Sequence, residues 1–340
     1  MSVPAEHPFD FDPTHGFGVE QLLAVRPPAA PPGFDEFWRG RLDRALQVDP
    51  RPQLSETAPQ HARWRVHDLV YASTGDFSIG GWLLLPREGT LSRGLVVGHG
   101  YGGRDGPDLD IPVEHTAVLF PCFRGLSRSR RPPISSDPYG HVLNEIDSPE
   151  RYILGGCVED LWLAVSALLR LFPWLDGRIG YVGESFGGGV GALALAFDRR
   201  LDRGCLVVPT FGAMPLWLTL PTVGSARSVQ NFQQANGSVL HNLSLFDAAT
   251  AATRIAVPML MAVARFDPAV APPCQFAVAN ALSTSILHET VILDAGHFEY
   301  SGLQQQHKLV QGKIGQFFEA TCGETTDAGA ARRFSETWSS

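Results

Sequence analysis

The sequence predicts an α/β fold: a mostly parallel, eight-stranded sheet flanked by helices, with an antiparallel hairpin at its N-terminal edge. Two observations carry this prediction. A β-rich hairpin comes first, and short apolar runs then alternate with longer segments of helical periodicity. Such alternation is typical of a parallel sheet that is covered by helices on both faces. The chain has 340 residues, of which 44% are hydrophobic and 18% are charged, so it is long enough to bury a large core.

The N-terminal part supplies a helix and the hairpin. Phe34 to Leu46 place apolar side chains on one helical face after a proline-rich segment, which predicts an amphipathic helix within an extension of about residues 17–50. Trp64 to Ser73 and Phe77 to Pro86 are rich in β-forming residues and are joined by a short polar turn. These two runs are predicted to pair as the antiparallel hairpin.

The core elements follow in alternation. Buried parallel strands are predicted at Leu95 to Gly98, Ala117 to Pro121, Ile179 to Val182, Cys205 to Val208, Pro258 to Ala264 and Thr290 to Leu293. Helices are predicted at Val158 to Phe172, Gly188 to Phe197 and Pro272 to Leu282. The burying pattern ends near Cys322, so we expect one domain over residues 1–322 and a mobile tail over residues 323–340.

Composition excludes several classes of function. The formal net charge of −8, from 35 acidic and 27 basic residues, gives no basic surface for nucleic acid. The N-terminus has neither the basic end nor the apolar run of a signal peptide, which favours a cytoplasmic protein. The five cysteines have no paired spacing, so we expect no zinc site and no disulfide framework, and thiols that are reduced and mostly buried. They are Cys122, Cys157, Cys205, Cys274 and Cys322.

The longest uncharged stretch, Gly204 to Ala226, does not predict a membrane span, because prolines and glycines interrupt it. We interpret it as a strand followed by a loop that lies over a pocket. The alternative is an ordinary buried connection.

A candidate nucleophile lies at a predicted turn between strand and helix. Gly183 to Gly187 read Gly-Glu-Ser-Phe-Gly, with the predicted strand Ile179 to Val182 before them and a predicted helix after them. In that setting the pattern is the nucleophile elbow of α/β-hydrolases, which projects the serine hydroxyl above the sheet. Glycines at 183, 187, 188 and 189 relieve the crowding of such a strained turn. The alternative is a glycine-rich packing turn, but the context favours Ser185 as a nucleophile.

A serine hydroxyl needs a base to remove its proton, and in this fold the acid and the histidine follow the serine in that order. His297 lies just past the carboxyl end of the last predicted strand, where ligands meet such sheets. Asp267 follows the preceding strand in the same way, and it is predicted to fix the imidazole tautomer. Its alternative role is to cap the helix near Pro272.

The other histidines and aspartates near these strands are expected to have structural or solvent-exposed positions rather than catalytic roles. His288 and His307 are expected to face solvent, and His241 precedes the last two strands. Asp247 is expected to cap the helix that starts at Ala248. Asp294 is too near His297 in sequence to be the preferred partner.

The negative charge that develops on a substrate oxygen needs preorganised donors, usually two backbone N–H groups. Phe186, the residue after the nucleophile, is expected to supply one. Tyr101, in the glycine-rich loop after the strand Leu95 to Gly98, is expected to supply the other. An ordinary tight turn is the alternative interpretation of that loop.

The chain resembles the acetyl xylan esterase and cephalosporin C deacetylase family, carbohydrate esterase family 7, from about Phe17 to Ala320. The residues that carry the resemblance are Phe34 to Trp38, Gly81 to Pro86, Ser244 to Asp247, Phe266 with Asp267, and Pro272 to Asn280, together with Arg124, Gly125 and Ser129. The resemblance implies hydrolysis of short acyl esters, chiefly acetates, of sugars or similar alcohols, and a homohexameric assembly. It also implies that Arg124 is a buried anchor for the loops near the site, a role that suits a bidentate guanidinium.

The chain departs from the family pattern near the nucleophile. Leu126 and Ser127 stand where the family has Gln and Gly, and Glu184 and Phe186 stand where it usually has Gly and Gln. A benzyl group in place of an amide near the acyl carbon is expected to change which esters fit. The run of arginines at 124, 128, 130 and 131 is interpreted as a solvated basic face, with attraction of an acidic substrate as the alternative.

The sequence therefore predicts a serine carboxylesterase that acts on a small acylated substrate and requires no metal or organic cofactor. Two alternatives stay open. A prolyl-oligopeptidase-like serine peptidase shares this catalytic domain, although fewer than about 95 residues precede the first core strand, too few for a propeller. A non-catalytic hydrolase-fold binding protein usually lacks a member of the triad, and none is missing here.

Overall fold

The computed structural model describes residues 7–56 and 61–319. Cys322 and the expected tail at 323–340 lie outside the described residues. The strands are β1 (Gln53–Glu56), β2 (Trp64–Ala72), β3 (Ser78–Pro86), β4 (Arg93–Gly98), β5 (Thr116–Pro121), β6 (Ile179–Glu184), β7 (Leu201–Val207), β8 (Met259–Ala264) and β9 (His288–Leu293). They form one sheet in the order β1-β2-β3-β5-β4-β6-β7-β8-β9. The pairs from β1 to β5 are antiparallel, and those from β5 to β9 are parallel.

The predicted α/β architecture is confirmed, but the strand count is wrong: the described part of the chain has nine strands, not eight. The additional strand, β1, pairs with β2 and so forms the antiparallel edge outside the hairpin. Sequence analysis missed it because its four residues, Gln-Leu-Ser-Glu, are too few and too polar to show a strand period.

The last strand is parallel as predicted, but it is not buried. Among the described residues it pairs only with β8, so it lies at the edge of the sheet. Ile292 is 40% exposed, and Leu293 alone of its six residues is buried. An apolar run at an edge strand resembles one in the sheet interior, because the sequence does not show how many neighbours a strand has.

The helices are α1 (Val19–Ala24), α2 (Phe34–Leu46), α3 (Pro138–His141), α4 (Ile153–Leu171), α5 (Phe186–Phe197), α6 (Met214–Trp217), α7 (Ala226–Asn236), α8 (Leu240–Leu243), α9 (Ala248–Ala252), α10 (Pro272–Asn280) and α11 (Leu303–Glu319). The amphipathic helix α2 has the predicted bounds. It docks through the buried Trp38, whose indole N–H donates to the carbonyl oxygen of Leu245 at 2.7 Å. The N-terminal extension is thereby fixed to the main domain.

Helix α4 begins five residues earlier than predicted, at Ile153 rather than Val158. Gly155 and Gly156 lie in its first turn, and glycine has low helix propensity, which concealed the start. A side chain at Gly155 would overlap the guanidinium of Arg41, and one at Gly156 would overlap that of Arg124. The two glycines therefore serve packing between the helix and buried arginines.

The sheet has a core on each face, and the two cores are covered differently. Helices α2, α4, α5, α9 and α10 pack against one face. The other face is covered by α11, through Val310, Ile314 and Phe318, and by the crossover between β4 and β5. That crossover, residues 99–115, contains turns and bends but no helix.

The uncharged stretch Gly204–Ala226 completes β7 and continues through α6 toward α7. In the described ranges, no helix combines the length and the hydropathy that a bilayer crossing requires. Several residues of this stretch lie at the carboxyl edge of the parallel strands, in the same cleft as Ser185.

Candidate active site

Ser185 lies on the sharp turn between β6 and α5, at the carboxyl edge of the parallel strands. Its backbone has φ 52° and ψ −109°, a strained conformation for a residue with a side chain. A hydrogen bond from its backbone N–H to the carbonyl oxygen of Val207 (2.8 Å) holds the turn to the neighbouring strand. A side chain at Gly183 would overlap the carbonyl oxygen of Gly187. The backbone thus approaches itself so closely that glycine is required there.

His297 lies in the loop after β9, and its imidazole reaches the serine. The Ser185 hydroxyl and Nε2 of His297 are 2.8 Å apart, and Nδ1 is 2.8 Å from Oδ2 of Asp267. The His297 side chain is 26% exposed, whereas that of Asp267 is fully buried. The structure therefore brings together the three side chains that the sequence singled out, although they lie on three separate loops.

Hydrogen bonds from four groups surround the carboxylate of Asp267. Oδ1 accepts from the backbone N–H groups of Ala269 (2.8 Å) and Val270 (2.9 Å). Oδ2 accepts from Nδ1–H of His297 and from the amide of Gln275 at 2.8 Å. These donors compensate for burial of the charge and fix the direction of the carboxylate.

Sequence analysis missed Gln275. It is buried on α10, and its amide nitrogen also donates to the carbonyl oxygen of Val270, while its amide oxygen accepts from the N–H of Ala264. A glutamine among the apolar residues of this buried helix was the signal that could have revealed it.

The N-terminal arm, residues 7–17, was also missed. The carbonyl oxygen of Pro13 accepts a hydrogen bond from the backbone N–H of Asp267 at 3.2 Å. The ring of Phe9 packs edge-on against Phe298, the neighbour of His297, with centroids 5.8 Å apart. The arm therefore contacts the two loops that carry Asp267 and His297.

The environment favours the charged form of His297. Burial lowers the pKa of its imidazole, but the charge and hydrogen bond of Asp267, followed by the charge of Glu184, outweigh that effect. The pKa of His297 is consequently raised above its ordinary value. Glu184 is exposed beside the nucleophile, so it acts on the imidazole as a nearby negative charge.

The two residues expected to supply oxyanion donors lie against each other. Phe186 is the first residue of α5, so its N–H has no partner within the helix. Tyr101 lies in the loop after β4, and the rings of the two residues stack with centroids 4.0 Å apart and planes at 28°. The N–H of Gly187 donates to the carbonyl oxygen of His99 (3.0 Å), which fastens this loop to the helix.

The expectation that the Phe186 ring lies near the acyl carbon is wrong. The ring is completely buried and packs against Tyr101, Phe123 and Phe211. Its side chain extends from the first turn of α5 underneath the loop, away from the cleft. The substitution for the family's glutamine therefore supports the Tyr101 loop from below.

Arg124 lies away from Ser185 but is connected to the Tyr101 loop. Its guanidinium binds Asp160 of α4 through Nε (3.0 Å) and Nη2 (2.6 Å). Its carbonyl oxygen accepts from Nε2–H of His141 (2.9 Å), and Nδ1 of His141 accepts from the Tyr101 hydroxyl (3.3 Å). Burial lowers the pKa of His141 to about 4, so the ring is neutral and can both donate and accept. Arg124 thus contacts the site through two side chains.

The remaining arginines of that segment do not line the cleft. Arg128 pairs with Asp68 and lies over the ring of Trp82, and Arg131 lies over Phe77. Leu126 is buried, and the Ser127 hydroxyl accepts from the backbone N–H of Arg104 at 2.8 Å. The two departures at 126 and 127 therefore shape loops rather than contact the nucleophile.

The histidines and aspartates that were expected to have no catalytic role lie in surroundings that agree with that expectation. His288, His307 and His241 are exposed. Asp247 caps α9 by accepting from the N–H of Thr250, and Asp294 pairs with Arg265.

An open cleft of about 400 Å³ surrounds the nucleophile. Its lining includes Tyr101, Tyr139, Ser185, Thr210, Val223, Val270 and His297. Thr210 and Val223 belong to the uncharged stretch that the sequence placed over a pocket. No group of three or more potential metal ligands occurs among the residues that the structure describes.

Comparison with known proteins matches the chain to one family and finds solved structures that share its fold. A family model described as acetyl xylan esterase matches residues 17–315. A solved acetyl xylan esterase from Paenibacillus sp. is 22% identical with a TM-score of 0.75, over 87% of this chain and 99% of that one. Another, from Thermoanaerobacterium sp., is 20% identical with a TM-score of 0.73, over 89% and 99%. An acylaminoacyl peptidase from Pyrococcus horikoshii is 16% identical with a TM-score of 0.56, over 82% of this chain but 44% of the peptidase.

Arg124→Met is expected to lower the free energy of unfolding by about 3–5 kcal/mol, because it leaves the buried charge of Asp160 without its partner. Arg128→Met removes a partly exposed pair with Asp68 and should cost less than about 1 kcal/mol. Urea unfolding of both variants measures the difference. Equal, small losses would contradict a structural role for Arg124.

Proposed function

The chain belongs to the acetyl xylan esterase family and is a carboxylic ester hydrolase, and we propose that it removes acetyl groups through Ser185, His297 and Asp267. The observation that carries this proposal is the continuous hydrogen-bonded series from Ser185 through the imidazole to the buried carboxylate, with both links at 2.8 Å. This is the arrangement in which a base activates a serine hydroxyl and an acid orients the base.

The proposed reaction proceeds in two steps. Nε2 of His297 accepts the proton of Ser185 as its oxygen attacks the ester carbonyl, and the imidazolium then protonates the leaving alcohol. Water, deprotonated by the same nitrogen, releases the acid from the acyl-enzyme. Asp267 keeps Nδ1 protonated and stabilises the imidazolium. No cofactor takes part in this proposal.

The N–H groups of Tyr101 and Phe186 are proposed to stabilise the negative oxygen of the tetrahedral intermediate. Support comes from the position of Phe186 directly after Ser185, from Tyr101 in the lining of the cleft that contains Ser185, and from the stacking of the two rings at 4.0 Å. Because two rigid side chains set the distance between the loops, the donors do not need to reorganise during the reaction.

We propose that the substrates are short-chain acyl esters, chiefly acetates, of sugars or similar alcohols. The family supports the acetyl group. The acyl part is proposed to lie in the cleft of about 400 Å³ beside Ser185, which Tyr101, Tyr139 and Val270 line. A peptidase is less supported, because the chain spans 44% of the peptidase that it resembles.

We also propose that the protein is a homohexamer, as the resemblance to the family implies, and that it is cytoplasmic, as the N-terminal sequence favours. The four described cysteines are free and buried, which fits a reducing compartment. Light scattering on the purified protein is expected to give six times the chain mass of 36.9 kDa. A stable monomer at micromolar concentration would contradict the hexamer.

Ser185→Ala should lower kcat/KM for acetate esters by about 10⁴-fold or more with an unchanged circular dichroism spectrum, because no other group supplies the nucleophile. Ser225→Ala, in the same cleft, is the matched control and should retain activity. Esters graded from acetyl to octanoyl measure the acyl limit, and we expect the rate to fall beyond short acyl groups.

A preference for octanoyl esters would contradict the deacetylase proposal but not the hydrolase. Hydrolysis of peptide amides without hydrolysis of acetate esters would favour the peptidase. An unchanged rate in Ser185→Ala would contradict the proposed mechanism altogether.

Glu184→Gln should shift the acidic limb of the pH profile of kcat/KM to lower pH. His297 must be neutral to act as base, and the charge of Glu184 raises the pKa of its imidazole. Removing that charge lowers the pKa, so the active form persists at lower pH. Glu184→Asp keeps the charge and is the control. A limb that stays in place in Glu184→Gln would show that Glu184 does not act on His297.

A further inference from the structure

We propose that Tyr139 limits the length of the acyl group, because its hydroxyl ties together two walls of the cleft that contains Ser185. Tyr139 and Val223 both line this cleft, and the Tyr139 hydroxyl donates to the carbonyl oxygen of Val223 at 2.8 Å. This hydrogen bond is called the cleft bridge below. The inference rests on the proposed ester hydrolysis and names the residue that selects its acyl group.

One wall of the cleft is the short helix α3, which carries Tyr139. The side chain of Asp137 caps this helix by accepting from the backbone N–H of Tyr139 at 3.1 Å. At the other end of α3, the buried His141 is hydrogen-bonded to the carbonyl oxygen of Arg124 at 2.9 Å. The backbone of Tyr139 is therefore held from both sides. Tyr139 as a whole is nevertheless 47% exposed, so its side chain can rotate toward solvent when the cleft bridge opens.

The opposite wall is fastened to the loop that carries the acid of the triad. The Thr222 hydroxyl donates to the carbonyl oxygen of Ala269 at 2.7 Å. The backbone N–H of Val223 donates to the carbonyl oxygen of Pro268 at 2.9 Å. A side chain at Gly224 would overlap the carbonyl oxygen of Ala269, so the two segments lie in close contact. Because this wall is fixed, the side chain of Tyr139 is the movable part of the cleft bridge.

The geometry of ester hydrolysis directs the acyl group toward the cleft bridge. In the tetrahedral intermediate, the carbon carries the Ser185 oxygen, the oxyanion at its N–H donors, and the leaving oxygen near Nε2 of His297. The acyl chain takes the fourth direction, away from His297, where the lining of the cleft includes Tyr139, Thr210 and Val223. An acetyl group places only a methyl group there, whereas a longer chain extends toward the cleft bridge.

A long acyl chain and the cleft bridge exclude each other. Breaking a neutral hydrogen bond of this kind changes an equilibrium constant by about five-fold. The phenol ring of Tyr139 must also leave the space that the chain takes. A long acyl group is therefore bound with a penalty that an acetyl group does not have.

The experiment compares 4-nitrophenyl esters that share one alcohol and differ in the acyl group: acetyl, butanoyl and hexanoyl. The measured quantity is the ratio of kcat/KM for the hexanoyl ester over the acetyl ester. Tyr139→Phe removes the cleft bridge but keeps the ring, and it should raise this ratio about five-fold. Tyr139→Ala removes both and should raise it about twenty-fold or more, since each methylene that gains apolar contact adds roughly a factor of four. The butanoyl ester should show intermediate increases.

Tyr300→Phe is the matched control. The Tyr300 hydroxyl donates to Oε1 of Gln306 at 2.8 Å, the same length as the cleft bridge, but Tyr300 lies outside the cleft lining. This variant should keep the wild-type ratio. A substitution that only loosens the fold would lower the rates for both esters, so the ratio separates acyl selection from stability.

A wild-type ratio in Tyr139→Phe, or in a folded Tyr139→Ala variant, would overturn the inference. If Tyr139→Ala does not fold, Tyr139→Phe alone decides. Ethyl and cyclohexylmethyl acetate test the direction of binding. If Tyr139→Ala changes their relative rates but not those of the acyl series, the cleft takes the alcohol part and the inference fails.

If the wild type hydrolyses none of these esters, the proposed function fails, and calorimetry then decides on the cleft bridge. Hexanamide, which carries the same acyl chain, should bind more tightly to Ser185→Ala when Tyr139→Ala is also present. Equal binding to the single and the double variant would overturn the inference.

Discussion

The hydrogen-bonded pair of Arg124 and Asp160 is buried between segments that are distant in sequence, and the loops beneath the nucleophile depend on it. The Arg124 guanidinium also donates to the hydroxyls of Ser73 and Thr74, and it lies over the ring of Phe77. The pair joins the N-terminal hairpin, α4 and the loop after β5 at one buried point. A buried ion pair gives little net stability relative to apolar packing. Its value here is geometric, since both partners must keep fixed directions to satisfy their hydrogen bonds.

A series of contacts connects this pair to the loop beside Ser185. His141 is hydrogen-bonded to the Arg124 carbonyl oxygen and to the Tyr101 hydroxyl, and the Tyr101 ring stacks on Phe186. Glycine at 183 and the positive φ of Ser185 then fix the hydroxyl itself. On the other side of the nucleophile, Asp267 and Gln275 hold His297 in an equally determined position. The serine is thus placed between two independent buried networks.

Much of this could be predicted from sequence, because the strongest signals are local. Helix α2 has the predicted bounds, since a single amphipathic face determines them. The triad residues follow three strands in a fixed order, and the carboxyl ends of parallel strands meet at one edge. Strand β1 and the start of α4 were missed because their residues carry only a weak local pattern. The exposure of β9 was missed because the sequence does not show how many neighbours a strand has.

The same reason explains what was missed around the site. Gln275 and His141 act through contacts with residues that the sequence places far away, and neither carries a motif. The predicted position of the Phe186 ring was wrong, because a motif indicates the backbone position of a residue and not the rotamer of its side chain. Residue types near a known turn are therefore easier to predict than the packing beneath it.

The contact between the N-terminal arm and Asp267 bears on how the catalytic unit can be delimited. The family match begins at residue 17, yet the carbonyl oxygen of Pro13 satisfies the backbone N–H of a completely buried aspartate. The boundary of sequence similarity and the boundary of the cooperative unit are thus different. Chimeras that exchange domains at the start of the similarity would separate the acid from one of its supports, and a junction placed ahead of the arm would keep it.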